Sequence, residues 1–343
     1  SRHPIGGDGT TYRMDFSPSS DDTYTITVDA NSYTDEAGNG NTAGSFVWTY
    51  DSSPPTLPEV SITSSNTATG LSKTGDRVTL TFTSSEPLRD SPVCTFTSNN
   101  SPLPTLAGRQ ITVTNNSPSE VVESCSATTA DNVAACAAVT ISDDAAVNQS
   151  ACEAVGVCTY TPAVAQNTLW TCSVNMNAND SNGNVGFTID GYDIRGNALV
   201  QVTSTTDSSS MIFDSDSPTM TITATAGDDN HSVGNNSTTN DETITLTFTS
   251  SETTDNFMIT DIKINDVSLS EGTLSPVGAD GTTYTTDFSP TSDDTYRITV
   301  DADSFTDGAG IGNTAGSFVW TRDTTGPTLT EVVLSSGNSD ATL

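Results

Sequence analysis

Residues 8–49 read DGTTYRMDFSPSSDDTYTITVDANSYTDEAGNGNTAGSFVWT, and residues 280–321 read DGTTYTTDFSPTSDDTYRITVDADSFTDGAGIGNTAGSFVWT. Aligned without a gap, 34 of the 42 positions are identical. Self-similarity of this kind is the mark of a repeat architecture, so the two stretches predict two copies of one structural unit. Because the first copy starts in the middle of a unit, we expect the chain to be a window from a longer array.

Apolar and polar residues alternate strictly through much of the chain. In Thr243–Thr249, Ile244, Leu246 and Phe248 alternate with threonines, and residues 24–28 and 77–83 follow the same pattern. A period of two with one apolar face predicts half-buried antiparallel strands. Strands at short spacing with Gly, Asn, Asp and Pro turns predict a sandwich or a barrel.

A proline-containing linker recurs at residues 51–56, 216–219 and 323–328 and predicts the unit boundaries. Residues 216–323 make one unit of about 108 residues, the size of an immunoglobulin-like sandwich. Its strands are predicted near 218–224, 242–249, 258–265, 282–288, 294–301 and 315–322. The predicted domains are the back half of a repeat (1–53), a repeat with an insertion at about 101–165 (54–215), a complete repeat (216–324) and the first strand of the next (325–343).

The order of these motifs resembles the bacterial immunoglobulin-like repeats. The motifs are Pro-Thr before an alternating strand, TITLTFTSSE, Y-T-x-D-F-S-P, D-x-A-G-x-x-N-T-A and F-V-W-T-x-D, and they cover residues 1–94 and 166–343. The resemblance implies tandem all-β sandwiches in an extended array, as in the stalks of giant secreted adhesins and cell-surface proteins. Similar arrays occur in large surface proteins of microalgae and other protists. An extracellular or cell-surface location follows from the resemblance.

The composition excludes some classes of partner. The chain has 10 Lys and Arg against 43 Asp and Glu, a formal net charge of -33. Such a surface repels phosphate backbones and anionic membranes and attracts cations. No apolar run is long enough to cross a bilayer.

The six cysteines all lie between residues 94 and 172. They are Cys94, Cys125, Cys136, Cys152, Cys158 and Cys172. An even, clustered set favours disulfides formed in an oxidising compartment, and the 15 possible pairings stay open. The alternatives are free thiols or a zinc site, for which the spacing of Cys152 and Cys158 comes nearest. The insertion has weak periodicity, so we expect disulfides to staple it.

Acidic residues predict cation sites at the linkers. In an immunoglobulin-like sandwich the loops after the second and sixth strands share one end with the incoming linker. The predicted ligands are Asp51, Glu86 and Asp193 at one linker and Asp214, Asp216, Glu252 and Asp307 at the next. Their oxygens suit Ca²⁺, which takes six to eight oxygen ligands. The alternative is that Asp and Gly simply make turns.

Catalytic motifs are missing from the sequence, and we predict no enzyme. His3 and His231 are the only histidines. The paired acids at 21–22 and 293–294 precede a strand in both copies of the repeat, which indicates turn residues. Phe46, Trp48, Phe318 and Trp320 are expected to fill sandwich cores. Glycosylation sequons begin at Asn99, Asn115, Asn148, Asn179, Asn230, Asn235 and Asn236.

These features predict a structural role. We expect a rod or filament of sandwiches at the cell exterior, stiffened by Ca²⁺ between domains. Its partners would be neighbouring repeats or copies of the same chain. The alternative is an adhesin in which the cysteine-rich insertion binds a glycan or a surface protein and the other repeats are spacers.

Overall fold

The computed structural model describes residues 3–4, 10–105, 109–117, 124–127, 158–161, 168–227, 230–254 and 256–333. Within these ranges the protein consists of β-strands, turns and one 3-10 helix, Ile259–Asp261. The all-β prediction is confirmed. The chain divides into two compact units. The first comprises Ser1–Thr63, Arg77–Asn175 and Asn184–Met211, and the second comprises Ser64–Asp76, Met176–Gly183 and Ile212–Leu343.

The strands follow the alternating segments of the sequence. The N-terminal region has β1 (His3–Pro4), β2 (Tyr12–Arg13), β3 (Asp22–Val28) and β4 (Gly44–Tyr50). The middle region has β5 (Glu59–Ser64), β6 (Leu71–Ser72), β7 (Arg77–Thr83), β8 (Val93–Ser98), β9 (Ser101–Pro102), β10 (Thr112–Asn115), β11 (Ser124–Ala127), β12 (Cys158–Thr161), β13 (Leu169–Asn175), β14 (Gly183–Asp190) and β15 (Ile212–Phe213). The C-terminal region has β16 (Met220–Ala226), β17 (Ser232–Val233), β18 (Ser237–Thr239), β19 (Ile244–Ser250), β20 (Ile262–Ile264), β21 (Val267–Ser268), β22 (Ser275–Pro276), β23 (Thr283–Phe288), β24 (Asp294–Val300) and β25 (Gly316–Arg322).

The C-terminal region is a sandwich of two five-stranded sheets. One sheet has the order β17-β16-β19-β23-β22, and the other has the order β18-β25-β24-β20-β21. Their apolar faces form one core, to which Leu246 and Phe248 contribute from the first sheet and Ile298 and Trp320 from the second. These four side chains are almost fully buried. At about 1.5–3 kcal/mol for each large apolar side chain removed from water, the core is the main stabilising contribution.

The middle region has the same layered design. One sheet has the order β10-β13-β7-β5, and facing it β8 pairs antiparallel with β14 and β9. A disulfide joins Cys94 on β8 to Cys172 on β13 and so links the two layers. Its half-cystines are 78 residues apart in sequence, so the bond encloses the insertion.

The insertion is more regular than its weak periodicity suggests. Thr112–Asn115 forms β10 and pairs with β13, with Val113 opposite Cys172. Ser124–Ala127 pairs antiparallel with Cys158–Thr161 as a separate two-stranded sheet. A four-residue strand such as TVTN is too short for alternation to reveal it, which explains why the sequence predicted a loop there.

The paired acids do more than form turns. Asp293 accepts hydrogen bonds from the backbone N–H of Thr324 (3.0 Å) and the hydroxyl of Thr325 (3.0 Å), just beyond β25. Asp21 does the same for Ser52 and Ser53 beyond β4. The hydrogen bonds from Ser53 and Ser52 lower the pKa of Asp21. Each carboxylate therefore fixes the start of the linker that leaves its repeat.

We expect Gly316→Ala to destabilise the C-terminal sandwich. A Cβ at Gly316 would lie 2.6 Å from the carbonyl oxygen of Met220, whereas a Cβ at the equivalent Gly44 would meet nothing within 4 Å. Forced backbone shifts of this kind cost about 1–3 kcal/mol. Chemical denaturation should therefore show a loss of this size for Gly316→Ala and almost none for Gly44→Ala. Equal effects of the two substitutions would contradict the packing described here.

Replacing Cys94 and Cys172 by serine should destabilise the middle sandwich selectively. A cross-link that closes a long loop stabilises by about 2–4 kcal/mol, chiefly by restricting the unfolded chain. In calorimetry one unfolding transition should shift to lower temperature. The C-terminal sandwich, whose residues 216–322 contain no cysteine, provides the internal control. Unchanged melting of both sandwiches would show that the bond carries no stability.

Candidate metal centres

The sandwich scaffold brings acidic residues from three elements together at two places. Glu86 and Glu252 follow β7 and β19, Asp193 and Asp307 lie in the loops after β14 and β24, and Asp51 and Asp214 belong to the linkers. The first cluster is Asp51, Glu86 and Asp193, and the second cluster is Asp214, Glu252 and Asp307. In each cluster, one carboxylate oxygen per residue lies within 4.8 Å of the others.

Asp193 is the buried member of the first cluster. Its side chain accepts backbone N–H bonds at Oδ1 from Arg195 (2.8 Å), Gly196 (2.6 Å) and Asn197 (2.8 Å). Its Oδ2 accepts a bond from the Asn197 side-chain amide (2.7 Å), which also reaches the backbone oxygen of Asp51 (3.2 Å). Burial alone would raise the pKa of Asp193, but these hydrogen bonds outweigh it and lower the pKa. Asp193 is therefore held as a carboxylate beside the linker.

Asp307 holds the same place in the second cluster with one difference. Its Oδ1 accepts the backbone N–H of Ile311 (2.9 Å). Ile311 replaces the asparagine found at position 197, so no side-chain amide is available for the second oxygen. Asp307 is only 7% exposed, and its buried Oδ2 has no hydrogen-bond partner among the residues that the structure describes. A buried carboxylate oxygen without a donor is costly, and a bound cation would satisfy it.

Neighbouring groups hold the rest of the second cluster in place. Asp214 accepts a hydrogen bond from the side-chain amide of Asn182 (3.0 Å), and its own N–H donates to the carbonyl of Ser72 (2.9 Å). The loop after Asp307 is fixed by the Asn66 amide, which donates to the Ala309 carbonyl (3.0 Å). The ligand groups are therefore positioned by the fold.

The two glutamates show the electrostatic cost of these clusters. Burial raises the pKa of Glu252, and the charges of Asp214, Asp307 and Asp216 raise it further. Burial and the charges of Asp51 and Asp193 raise the pKa of Glu86 in the same way. Both glutamates are thus surrounded by like charge, a situation that a divalent cation would relieve.

The donor set suits a hard cation. Three carboxylates supply three to six oxygens, and Ca²⁺ completes six to eight ligands with backbone carbonyls or water. Asp216, also predicted as a ligand, is exposed and lies outside the three-carboxylate cluster, although its charge reaches Glu252. Within the described residues, three of the predicted carboxylates thus lie close together at each linker. The unpaired second oxygen of Asp307 was not predicted, although isoleucine at position 311, where the other turn has asparagine, was the signal in the sequence.

The other predicted site residues have different surroundings. Cys94 and Cys172 form the disulfide, Cys136 and Cys152 lie outside the described residues, and so do the side chains of Cys125 and Cys158. Asn148 also lies outside them. The remaining sequon asparagines are exposed: Asn99, Asn115, Asn179, Asn230, Asn235 and Asn236. Among these, Asn235 uses its side-chain oxygen to accept the N–H of Val319 (2.8 Å).

The C-terminal sandwich is similar in sequence to a known family. Residues 214–322 match the family model described as a bacterial Ig-like domain. This segment is similar to the bacterial Ig-like repeats. The match begins at Asp214 and includes Glu252 and Asp307, so the second cluster lies entirely within the repeat. No curated protein matches the chain.

The family also indicates a broad role. Bacterial Ig-like repeats are structural or adhesive modules, usually of surface or extracellular proteins, and are typically non-catalytic. In the part of the chain that the structure describes, no helix has the length and apolarity needed to cross a membrane.

Glu252→Gln should stabilise the protein when a chelator is present. Folding raises the pKa of Glu252. The protonated side chain therefore stabilises the folded state fully when the pH is below the ordinary pKa of glutamate, and this stability is lost as the pH rises through the raised pKa. Glutamine keeps the shape and cannot ionise. At pH 7 in chelator we expect the variant to be more stable by up to about 1 kcal/mol, with the difference vanishing near pH 4.

The matched control is Glu271→Gln, an exposed glutamate outside both clusters. It should change stability at neither pH. A Glu252→Gln protein that is less stable than wild type in chelator would show that the glutamate is not repelled by its neighbours.

Proposed function

We propose that the chain is a non-catalytic structural segment of a large extracellular repeat protein, part of a rod or filament at the cell surface. Ca²⁺ bound at the two clusters ties each linker to the sandwich that it enters. Neighbouring repeats and copies of the chain are its partners.

One observation carries this proposal: the same three carboxylates recur at both linkers, supplied by the same three elements. The two repeats differ in length and in most of their sequence, yet both keep an acid in the linker, a glutamate after the second strand and an aspartate after the sixth. A metal site that stabilises every linker is expected to recur in each repeat. A catalytic centre has no comparable reason to recur there.

The physical role of the cation follows from the geometry. Without it, three carboxylates within 4.8 Å repel one another and the linker aspartate is pushed away. With it, linker and loops share one ion, and the linker loses its freedom. An ion that binds only the folded state at 100 times its Kd stabilises by about 2.7 kcal/mol. Hydrogen bonds that Asp21 accepts from Ser52 and Asp293 accepts from Thr324 fix the start of the linker that leaves the N-terminal and the C-terminal repeat.

Calorimetric titration of the full chain tests the proposal. We expect two Ca²⁺ sites, one lost in Glu86→Gln and the other in Glu252→Gln, while Glu271→Gln keeps both. Saturating Ca²⁺ should raise the melting temperature by roughly 10–20 °C over chelator, given about 4–8 °C per kcal/mol for domains of this size. Small-angle scattering should show a narrower range of particle dimensions with Ca²⁺. Absence of binding, or binding unchanged in both variants, would contradict the role of the clusters.

A second function is favoured by one feature of the insertion. The β11–β12 pair forms a sheet separate from both layers of the middle sandwich, as expected of an appended recognition element. Such an element would bind a glycan or a surface protein and make the chain an adhesin. Deleting residues 118–167 separates the roles: loss of assembly indicates a filament contact, and loss of ligand binding with assembly retained indicates an adhesin.

A further inference from the structure

The segment between β5 and β7, residues 65–76, contacts the turn that follows β24. This segment belongs to the same compact unit as the C-terminal sandwich. The side-chain amide of Asn66 donates to the carbonyl of Ala309 (3.0 Å), and the ammonium group of Lys73 donates to the carbonyl of Gly310. Two consecutive carbonyls of the turn are therefore bound by side chains that come from the preceding repeat.

Hydrogen bonds within the segment position the two donors. Asp76 accepts from the side-chain amide of Asn66 (2.8 Å) and from the backbone N–H of Lys73 (2.8 Å). The side-chain oxygen of Asn66 accepts the N–H of Ala68 (2.9 Å). An asparagine amide has two N–H donors, so Asn66 uses one inside the segment and the other on the turn. The segment therefore presents a surface whose shape is set by its own contacts.

The turn itself does not require glycine directly after its aspartate. In the middle repeat the corresponding turn is closed by an N–H that donates to the Asp193 carbonyl (3.2 Å), as its counterpart donates to the Asp307 carbonyl (3.1 Å). The glycine with positive φ is the third residue after the aspartate in both turns (φ 99° and 76°). Directly after the aspartate, however, the middle turn has Ile194 and the C-terminal turn has Gly308. A turn of the same kind thus accepts a large side chain at this position, and the glycine needs another explanation.

The contact with the segment supplies that explanation. A Cβ at Gly308 would lie 3.6 Å from Cδ1 of Leu71, which is an ordinary van der Waals distance. Alanine would therefore fit at position 308, whereas a longer side chain would have to displace Leu71 or move the turn away. Such a movement would also separate the two turn carbonyls from Asn66 and Lys73. The small residue is thus needed for the approach of the turn to the segment.

We propose that residues 66–73 form a docking surface that selects the repeat that follows, and that Gly308 is the specificity-determining residue. The partner is an Ig-like repeat with a small residue directly after its turn aspartate. The turns of the other two repeats, which have Glu36 and Ile194 at this position, would be rejected by the surface. Neighbouring repeats are then matched in sequence and cannot be exchanged. The proposal rests on the proposed role as a repeat segment but not on Ca²⁺, because none of these contacts involves a carboxylate of either cluster.

Competitive amine labelling of the full chain, measured in chelator by mass spectrometry, tests the contact. Lys73 and Lys263 are the only lysines in the sequence, and Lys263 pairs with Asp301, so it provides an internal reference. Gly308→Ile should raise the labelling rate of Lys73 relative to Lys263 roughly two- to tenfold, the range expected for the loss of one hydrogen bond. Gly308→Ala should leave the ratio almost unchanged. Small-angle scattering in chelator should show a wider range of particle dimensions for Gly308→Ile than for wild type.

The matched control is Ile194→Gly, the reverse exchange at the corresponding position of the middle turn, where the side chain is 53% exposed. It should change neither the labelling ratio nor the scattering. Equal ratios in wild type and Gly308→Ile would overturn the proposal. So would a Gly308→Ala protein as strongly altered as Gly308→Ile, because the surface would then not select by size. Since chelator is present throughout, these results are independent of whether the clusters bind Ca²⁺.

Discussion

A sheet with one apolar face must be covered by a second sheet, and this constraint organises the whole chain. Alternating valine, isoleucine and phenylalanine with threonine yields strands that hydrogen-bond well and leave one side unable to face water. In the middle and C-terminal regions, two such sheets cover each other. The N-terminal hairpin has the same sequence pattern, but among the described residues Phe46 is 64% exposed and Trp48 is 37% exposed, so the prediction that they fill a core is not met there.

The packing of the two sheets also determines where the loops at their ends lie. The linker enters at the end where the second and sixth strands terminate, so acids on three distant parts of the chain meet there. Glu252 and Asp307 are 55 residues apart in sequence, and only the sandwich brings them within reach of Asp214. Burial, and then the repulsion by these carboxylates, raises the pKa of each glutamate.

The alternating strands and the shared end of the loops could be predicted from sequence because each depends on a local pattern or on general topology. Strands such as β19 and β25 were found within two residues. The pairing of Cys94 with Cys172 could not be predicted, since it depends on the distance between two layers. Strand β10 was missed because four mostly polar residues carry almost no periodic signal. The linker contacts of Asp21 and Asp293 depend on side-chain geometry, which composition does not encode.

The two clusters also show why an acidic turn cannot be interpreted from residue type alone. Asp193 fits the simple interpretation, in which an aspartate serves its own turn, because Asn197 and three backbone N–H groups supply donors to both of its oxygens. Asp307 has the same backbone position, but the Ile311 side chain has no donor, and within the described residues one buried oxygen of Asp307 has no hydrogen-bond partner. Asparagine at this position therefore supplies a donor to the second oxygen of the turn aspartate, and isoleucine does not. Turn hydrogen bonds therefore satisfy both oxygens of Asp193, while the surroundings of Asp307 give the stronger support for a bound cation.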